Sequence, residues 1–335
     1  MKIVVFLLLL LNLAFGDKTV TIASYNVENL FDLKKNGHEY KEYIPNTSSN
    51  WNKKNYKIKL QNISRVIKDI NADIIALQEI ESLQALKDLK LQLKKDGLYY
   101  QYYKIADRKN TTIKVAFLSK IPFVYTKELF VTSSYKYRNI LETKFSINNK
   151  DIYLFINHWK AKSGPESQRI VSAKALTKRV KQLGYDKNII LVGDFNSDYE
   201  EHIKFIRKKK LNNTNGKTGI NHILKSIKQN QKASHVKTQD RSFYNLWYDT
   251  QEDQRYTYIF RGKKEALDNI LISQSLLNEQ SVYYKKDSIE SFKPSYVFKG
   301  KGIYRWQTTR KKPHRHKGKG YSDHLAVVAK FIVKN

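Results

Sequence analysis

Short, wholly apolar runs alternate along this chain with stretches of helical periodicity, and that alternation restricts it to a layered mixture of strands and helices. Ile74-Ile75-Ala76-Leu77 and Ile189-Ile190-Leu191-Val192 carry no polar residue, the mark of central strands covered on both faces. Val20 and Ile22 alternate with threonines and predict a buried strand over Thr19–Tyr25. Further strands are expected at Val115–Leu118, Phe123–Val131, Ile140–Ile147, Ile152–Ile156, Tyr256–Phe260, Leu267–Ile272 and Ala326–Ile332. Leu60, Ile63, Val66, Ile67 and Ile70 recur at helical spacing, as do Leu83, Leu86, Leu89 and Leu93, and again Ala173, Leu176, Val180 and Leu183. Residues 34–57 are polar and irregular and read as a surface loop. Nothing repeats, and no linker or composition break divides the chain. Residues 17–335 therefore read as a single domain with basic loop insertions at about 199–245 and 299–320.

The N-terminus has a different character. Met1-Lys2, an apolar run from Ile3 to Leu13 and then Ala14-Phe15-Gly16 describe a secretory signal peptide over residues 1–16, cleaved after Gly16. The run falls short of the ~20 residues that span a bilayer. A secreted or periplasmic monomer without stable membrane insertion is expected, and a mature N-terminus at Asp17 would check this by sequencing. Cysteine is absent from all 335 residues, which excludes disulfides, thiolate metal sites and a cysteine nucleophile. Lys and Arg number 62 against 31 Asp and Glu, a formal charge of +31. Part of that excess follows from a Lys-, Asn-, Ile- and Tyr-rich composition. The two-to-one balance still favours an anionic partner, a phosphate polymer or an anionic membrane. Basic residues cluster at Arg207-Lys208-Lys209-Lys210 and between Arg310 and Lys319.

Polar residues gather where the apolar runs stop. Tyr25-Asn26-Val27-Glu28-Asn29 follows the first strand, Gln78-Glu79 the second, Asn157-His158-Trp159 the strand at Ile152–Ile156, and Gly193-Asp194-Phe195-Asn196 the one at Ile189–Val192. Asp268-Asn269 interrupts another, and Ser322-Asp323-His324 precedes the last. One such cluster is a turn or helix cap; six at strand ends are the usual makings of an active site. Carboxylates and amides without thiolates make a hard oxygen site, suited to Mg²⁺, Mn²⁺ or Ca²⁺. Two histidines beside carboxylates can exchange protons. These parts suit metal-assisted hydrolysis of a phosphodiester.

The set Ser24-Tyr25-Asn26-Val27-Glu28-Asn29-Leu30, Ala76-Leu77-Gln78-Glu79-Ile80, Asn157-His158-Trp159, Gly193-Asp194-Phe195-Asn196, Leu267-Asp268-Asn269-Ile270-Leu271 and Ser322-Asp323-His324 resembles the endonuclease/exonuclease/phosphatase superfamily, to which pancreatic deoxyribonuclease belongs. Arg255–Phe260 leading into Leu267-Asp268 looks like secreted bacterial nucleases. The resemblance implies an α/β fold, a four-layered sandwich of two packed mixed sheets flanked by helices. It implies that Asn26 and Glu79 hold the metal, with Asp323 beside the same ion. His324 corresponds to the histidine acting on the attacking water or scissile phosphate, and Asp268 to its orienting carboxylate. Asp194 and Asn196 match the pair that positions nucleophile and phosphate, and His158 a second histidine. Arg138 falls where the deoxyribonuclease branch contacts phosphate. One departure is plain: Thr111-Thr112-Ile113-Lys114 lacks the glutamate that orients that second histidine.

Charge directs the choice of substrate. Lys312, Arg315 and Lys317 precede Asp323-His324 and suit the phosphates of DNA or RNA, bound without sequence specificity. Tyr304, Trp306 and Tyr321 lie among those basic residues and are candidates for base stacking. The expected activity is that of a secreted or periplasmic Mg²⁺-dependent nuclease. The alternative is a sphingomyelinase-like phospholipid phosphodiesterase, for which Tyr296-Val297-Phe298 is the nominated membrane-facing stretch.

Overall fold

Strict alternation along the strands sets up two faces, and the two faces have different partners. In β1 (Lys18–Leu30) Val20 and Ile22 point one way while Ala23, Tyr25 and Val27 point the other. The structure, a computed structural model, describes residues 16–205, 209–226 and 241–335. The expected signal peptide (Gly16 apart) and Arg207-Lys208 of the first basic run lie outside the described residues.

After β1 come α1 (Lys53–Ile70), β2 (Ile74–Ile80), α2 (Leu83–Lys95), β3 (Tyr102–Ile105) and β4 (Lys114–Ser119). Next follow β5 (Phe123–Leu129), β6 (Ile140–Ile147), β7 (Lys150–His158), α3 (Glu166–Leu183), β8 (Ile189–Asp194) and the short α4 (Glu201–Lys204). The rest is β9 (Phe243–Asn245), a hairpin of β10 (Tyr258–Phe260) and β11 (Lys263–Glu265), β12 (Asp268–Ser273), β13 (Val282–Tyr284), β14 (Glu290–Ser291), a hairpin of β15 (Phe298–Lys299) and β16 (Gly302–Ile303), and β17 (Val327–Val333).

Two mixed sheets result. The first has the order β13-β17-β1-β2-β4-β3, with β14 also on β17; the second has the order β5-β6-β7-β8-β12-β9. Each holds a single parallel pair, β1–β2 and β7–β8, joined by the crossover helices α1 and α3. Parallel neighbours cannot be joined by a tight turn, so those helices are forced onto the outer faces. One apolar cluster lies between the sheets and takes Val20, Ile74, Phe117, Leu154, Ile190, Val192 and Ile270. A second fills the space under α1 and α2, and a third the space under α3. Four layers follow, helices outside and sheets within.

Several boundaries move from the sequence reading. α1 starts at Lys53, because the Asn52 side chain accepts the Asn55 N–H and caps it; the loop expected over 34–57 is shorter by that much. Asp268 and Asn269 begin β12 and do not interrupt it. β3, β9 and β13 to β16 have two to four residues each, too few to show a period. Gly193 in β8 has φ +134°, and a Cβ there would lie 2.1 Å from the Asn157 carbonyl oxygen. Its lack of a side chain lets β7 and β8 close up beside Asp194.

Candidate active site

The alternation that packs the core also assembles the polar cluster. Between the sheets, inward positions run Val20, Ile22, Ser24, Asn26 along β1 and Leu154, Ile156, His158 along β7. On β8 they run Ile190, Val192, Asp194, and β12 begins with Asp268 before Ile270 and Ile272. At one rim the inner faces therefore change from apolar to polar together. His158 pairs with Asp194 across the parallel β7–β8 ladder, and Asp268 with Asp194 across β8–β12. Glu79 would face outward by parity. It is re-aimed by a bulge: register slips on β1 between Asn26 and Leu30 and on β2 beside Glu79, with φ +51° at Glu28, +64° at Asn29 and +67° at Glu79.

Hydrogen bonds tie the pieces together. Asn26 Nδ2 donates to Glu79 Oε1 at 3.2 Å and to Asp194 Oδ2 at 3.0 Å, linking the two sheets. His158 Nε2 lies 3.5 Å from Asp194 Oδ2 and 3.8 Å from Glu79 Oε1. His324 Nδ1 shares a 2.7 Å hydrogen bond with Asp268 Oδ2, which leaves Nε2 facing Asp194 and Asp323, 4.0 Å from each. Ser322 holds this segment in place, its Oγ donating to the Asn26 carbonyl at 2.6 Å and accepting the His324 N–H. Asn196, at φ +47°, accepts nothing from the cluster; its Nδ2 donates to the Trp159 carbonyl and its N–H to Asp194 Oδ1. His158 Nδ1 is buried without a partner, as the missing glutamate leads one to expect.

Charge is crowded and largely dry. Burial, opposed by His324 and reinforced by Asp268, raises Asp194 to about 7. Burial and then Asp323 raise Glu79. Burial disfavours the imidazolium of His324, but Asp268 and Asp194 outweigh it and lift the group well above its ordinary value. His158 is driven well below its own by burial, Arg138 and His324, and stays neutral. Asp194, Asp268 and His324 offer donor atoms within 4.8 Å of one another, the only such group found among the described residues. The hydrogen bond between His324 and Asp268 already occupies one donor atom of each. Glu79 and Asp323, with side chains 17% and 21% exposed, remain open to an incoming ion beside Asn26. Carboxylates crowded at one rim, raised by burial and by neighbouring acids against the pull of His324, fit a divalent cation.

Glu28 and Arg305 were overlooked in the sequence, although Glu28 stands inside the first polar cluster. Glu28 is buried, and its Oε1 accepts from Arg305 Nε at 2.9 Å while its Oε2 accepts the Trp306 N–H at 2.9 Å. Arg305 Nη2 in turn lies 3.2 Å from Asp323 Oδ2. Burial and then Asp323 raise Glu28 to about 7, against Lys59 and Arg305; burial lowers the fully enclosed Lys59 to about 8. The place of Glu28 two residues after Asn26, inside the first polar cluster, is the signal the sequence carries, although the bulge turns it toward Lys59 and Trp306 on the side of α1.

The proposed phosphate contacts spread outward from this rim. Arg138 Nη1 donates to the Trp159 carbonyl, and the side chain borders a cleft of about 160 Å³ with Tyr40 and Lys160. Lys312, Arg315 and Lys317 line a cleft of about 410 Å³. Thr309 and Arg310 are shared between it and a cleft of about 540 Å³ that reaches Arg305 and Glu28. Base stacking by Trp306 and Tyr321 is overturned: they are 4% and 8% exposed. Trp306 Nε1 donates to His316 Nδ1 at 2.7 Å within a ring cluster that includes Trp51 and Tyr43, and Tyr304 packs on the same core. The nominated membrane-facing stretch is also corrected. Val297 is buried, Phe298 packs on the core, and Tyr296 lies under Arg65 of α1.

A family model described as the endonuclease/exonuclease/phosphatase family matches residues 21–225 and 210–333. Among solved structures, an endonuclease/exonuclease/phosphatase family protein from Bacteroides thetaiotaomicron superposes with a TM-score of 0.59 at 15% identity, covering 96% of this chain and 100% of that one. D. rerio TDP2 complexed with a single-strand DNA product gives 0.58 at 15%, covering 94% and 99%. A mannosyl-6-phosphatase from Bacteroides thetaiotaomicron gives 0.56 at 15%, covering 93% and 99%. No curated protein matches by sequence.

Proposed function

Because the chain belongs to the endonuclease/exonuclease/phosphatase family, whose members are metal-dependent hydrolases of phosphoester bonds, we propose that it is an exported Mg²⁺-dependent nuclease. It hydrolyses phosphodiesters of DNA, and of RNA, with low sequence specificity. The reading is carried by the adjoining clefts that bring Arg310, Lys312, Arg315 and Lys317 out from Arg305, which itself lies 3.2 Å from Asp323. A small phosphomonoester needs no such series of cations; a phosphate polymer does. A net charge of +31 agrees with a polyanionic substrate.

Each residue then has a task. Glu79, Asn26 and Asp323 hold the divalent ion, which when bound neutralises charge on the phosphoryl oxygens. His324, fixed through Nδ1 by Asp268, moves a proton at Nε2, toward a phosphoryl oxygen or from the attacking water. Asp194 positions that water between His324 and His158. Asn196 and neutral His158 orient the phosphate, and Arg138 with the basic loop holds the strand on either side.

DNA held in a gel should be cleared by the purified protein, and EDTA in excess over metal should abolish clearing until Mg²⁺ or Mn²⁺ is restored, because the chelator takes the ion from its carboxylate ligands. The mannosyl-6-phosphatase neighbour motivates a sugar-phosphate arm, and the superfamily's lipid enzymes a sphingomyelin arm. Hydrolysis of either without DNA cleavage would falsify the nuclease reading. With Arg138, Arg310, Lys312, Arg315 and Lys317 as five phosphate contacts, log affinity for single-stranded DNA should fall against log salt with a slope of about −3.5. A flat response would remove the role given to the basic loop.

A further inference from the structure

The hairpin β10–β11 stands directly against the candidate centre. Tyr258 forms an isolated antiparallel bridge with His324, and their rings lie 5.0 Å apart. Thr257 anchors the base of the hairpin, its Oγ1 accepting the Asp268 N–H and its carbonyl the Leu325 N–H at 2.7 Å. Ile259 packs inward on the core under α1, so by alternation Tyr258 and Phe260 share the opposite face. Tyr258 is half-buried beside the imidazole, while Phe260 is 53% exposed, two residues or about 7 Å further out.

The tip is built to keep that ring in place. Arg261 and Gly262 have φ +49° and +77°, the pair of positive angles that closes a two-residue hairpin. Arg261 lies over the Phe260 ring at 5.3 Å, and Lys263 is the cross-strand partner of Phe260. Neither cation makes an ion pair among the described residues. At the base, Glu265 sits opposite Tyr258 and is bound by Lys162 Nζ at 3.0 Å, which ties the hairpin to the loop after β7. Phe260 is an apolar ring 53% exposed, set between two cations without ion pairs among the described residues, and its removal would leave no enclosed cavity.

We infer that Phe260, flanked by Arg261 and Lys263, is a base-stacking subsite for the nucleotide next to the scissile phosphate, and that Tyr258 lines the passage from it to His324. Because the two rings share one face, a strand that passes Tyr258 on leaving the centre meets Phe260 next, and the flanking cations take the adjoining phosphates. Such a platform needs an unpaired base, so the substrate class is single-stranded or frayed nucleic acid. This deepens the nuclease reading and rests on it.

The test uses the mature protein, Mg²⁺ and a short oligothymidylate, intact or with an abasic residue beside the cleaved bond. Phe260→Ala should lower kcat/KM on the intact oligonucleotide about 10- to 100-fold, and Phe260→Trp should restore it. Removing the neighbouring base should slow the wild type by a similar factor and leave Phe260→Ala almost unaffected, because ring and base act as one contact. A normal melting temperature verifies the fold of the variant. Equal rates for wild type and Phe260→Ala, or equal penalties from the abasic residue in both, overturn the subsite while leaving the nuclease reading intact. A wild type without any oligonucleotide cleavage overturns both. If Phe260→Ala instead loses binding to sphingomyelin vesicles and keeps full oligonucleotide turnover, the ring serves a lipid surface and the inference is wrong.

Discussion

Replacing His324 with alanine is expected to reduce turnover by about 10²- to 10⁴-fold, the range over which a positioned proton donor or acceptor contributes. The expectation rests on geometry. Asp268 is fully buried and holds Nδ1 at 2.7 Å, so the ring cannot rotate and Nε2 is the atom presented to substrate. Asp268→Asn keeps the volume but offers the ring a neutral partner, which should cost most of the same factor by loosening or inverting the imidazole. His324→Ala also strips Asp268 Oδ2 of its partner while Oδ1 already has none, so some stability goes with it. Single-turnover rates at saturating Mg²⁺, paired with thermal melts, separate the two losses. Turnover surviving in a folded His324→Ala protein would mean that another group handles the proton, with His158 the nearest remaining imidazole.

Glu28→Ala is expected to cost about 2–4 kcal/mol of stability and to weaken divalent-ion binding about 10- to 100-fold. Its carboxylate satisfies a buried Trp306 N–H, which would be left without a partner, and supports the charge of the enclosed Lys59, which would be left with its bond to the Tyr321 carbonyl and the more distant Asp323 and Glu79. Arg305, whose side chain is 53% exposed, rehydrates and contributes little to that loss. Its role is directional: it bridges Glu28 and Asp323, so the position of one ion-holding carboxylate depends on a strand bulge in the other half of the chain. Glu28→Gln should recover much of the stability but little of the ion affinity. Denaturant unfolding and calorimetric titration with Mn²⁺ read the two quantities separately. Unaltered Mn²⁺ affinity in Glu28→Ala would reduce the bridge to a purely structural clamp.

Legibility in the sequence followed length and period. The long strands and the three main helices were visible because apolar residues recur often enough to show their spacing; β13 to β16 were not, because two or three residues have no period. Asn26, His158 and Asp194 were recognisable as polar residues ending apolar strands, and Asp268 as a polar break in one, although it begins β12. Glu28 was passed over because its partners, Arg305 and Trp306, are more than 270 residues away. Trp306 and Tyr321 were misread for a related reason. Their basic neighbours suggested solvent, whereas His316 draws Trp306 into the aromatic cluster and Lys59 Nζ donates to the Tyr321 carbonyl beneath the loop.

By itself, the sequence determined which residues share a face, because side chains alternate along a strand whatever surrounds it. It therefore determined that Asn26 continues the line of Val20 and Ile22, and Asp194 that of Ile190 and Val192. Only the tertiary structure decided that those two lines confront each other across one interior, that a bulge turns Glu79 toward Asn26, and that Arg305 reaches Asp323. The reason is physical: local periodicity is a property of consecutive residues, but which apolar faces bury one another is settled by the burial of the whole chain, and no neighbouring residue encodes it.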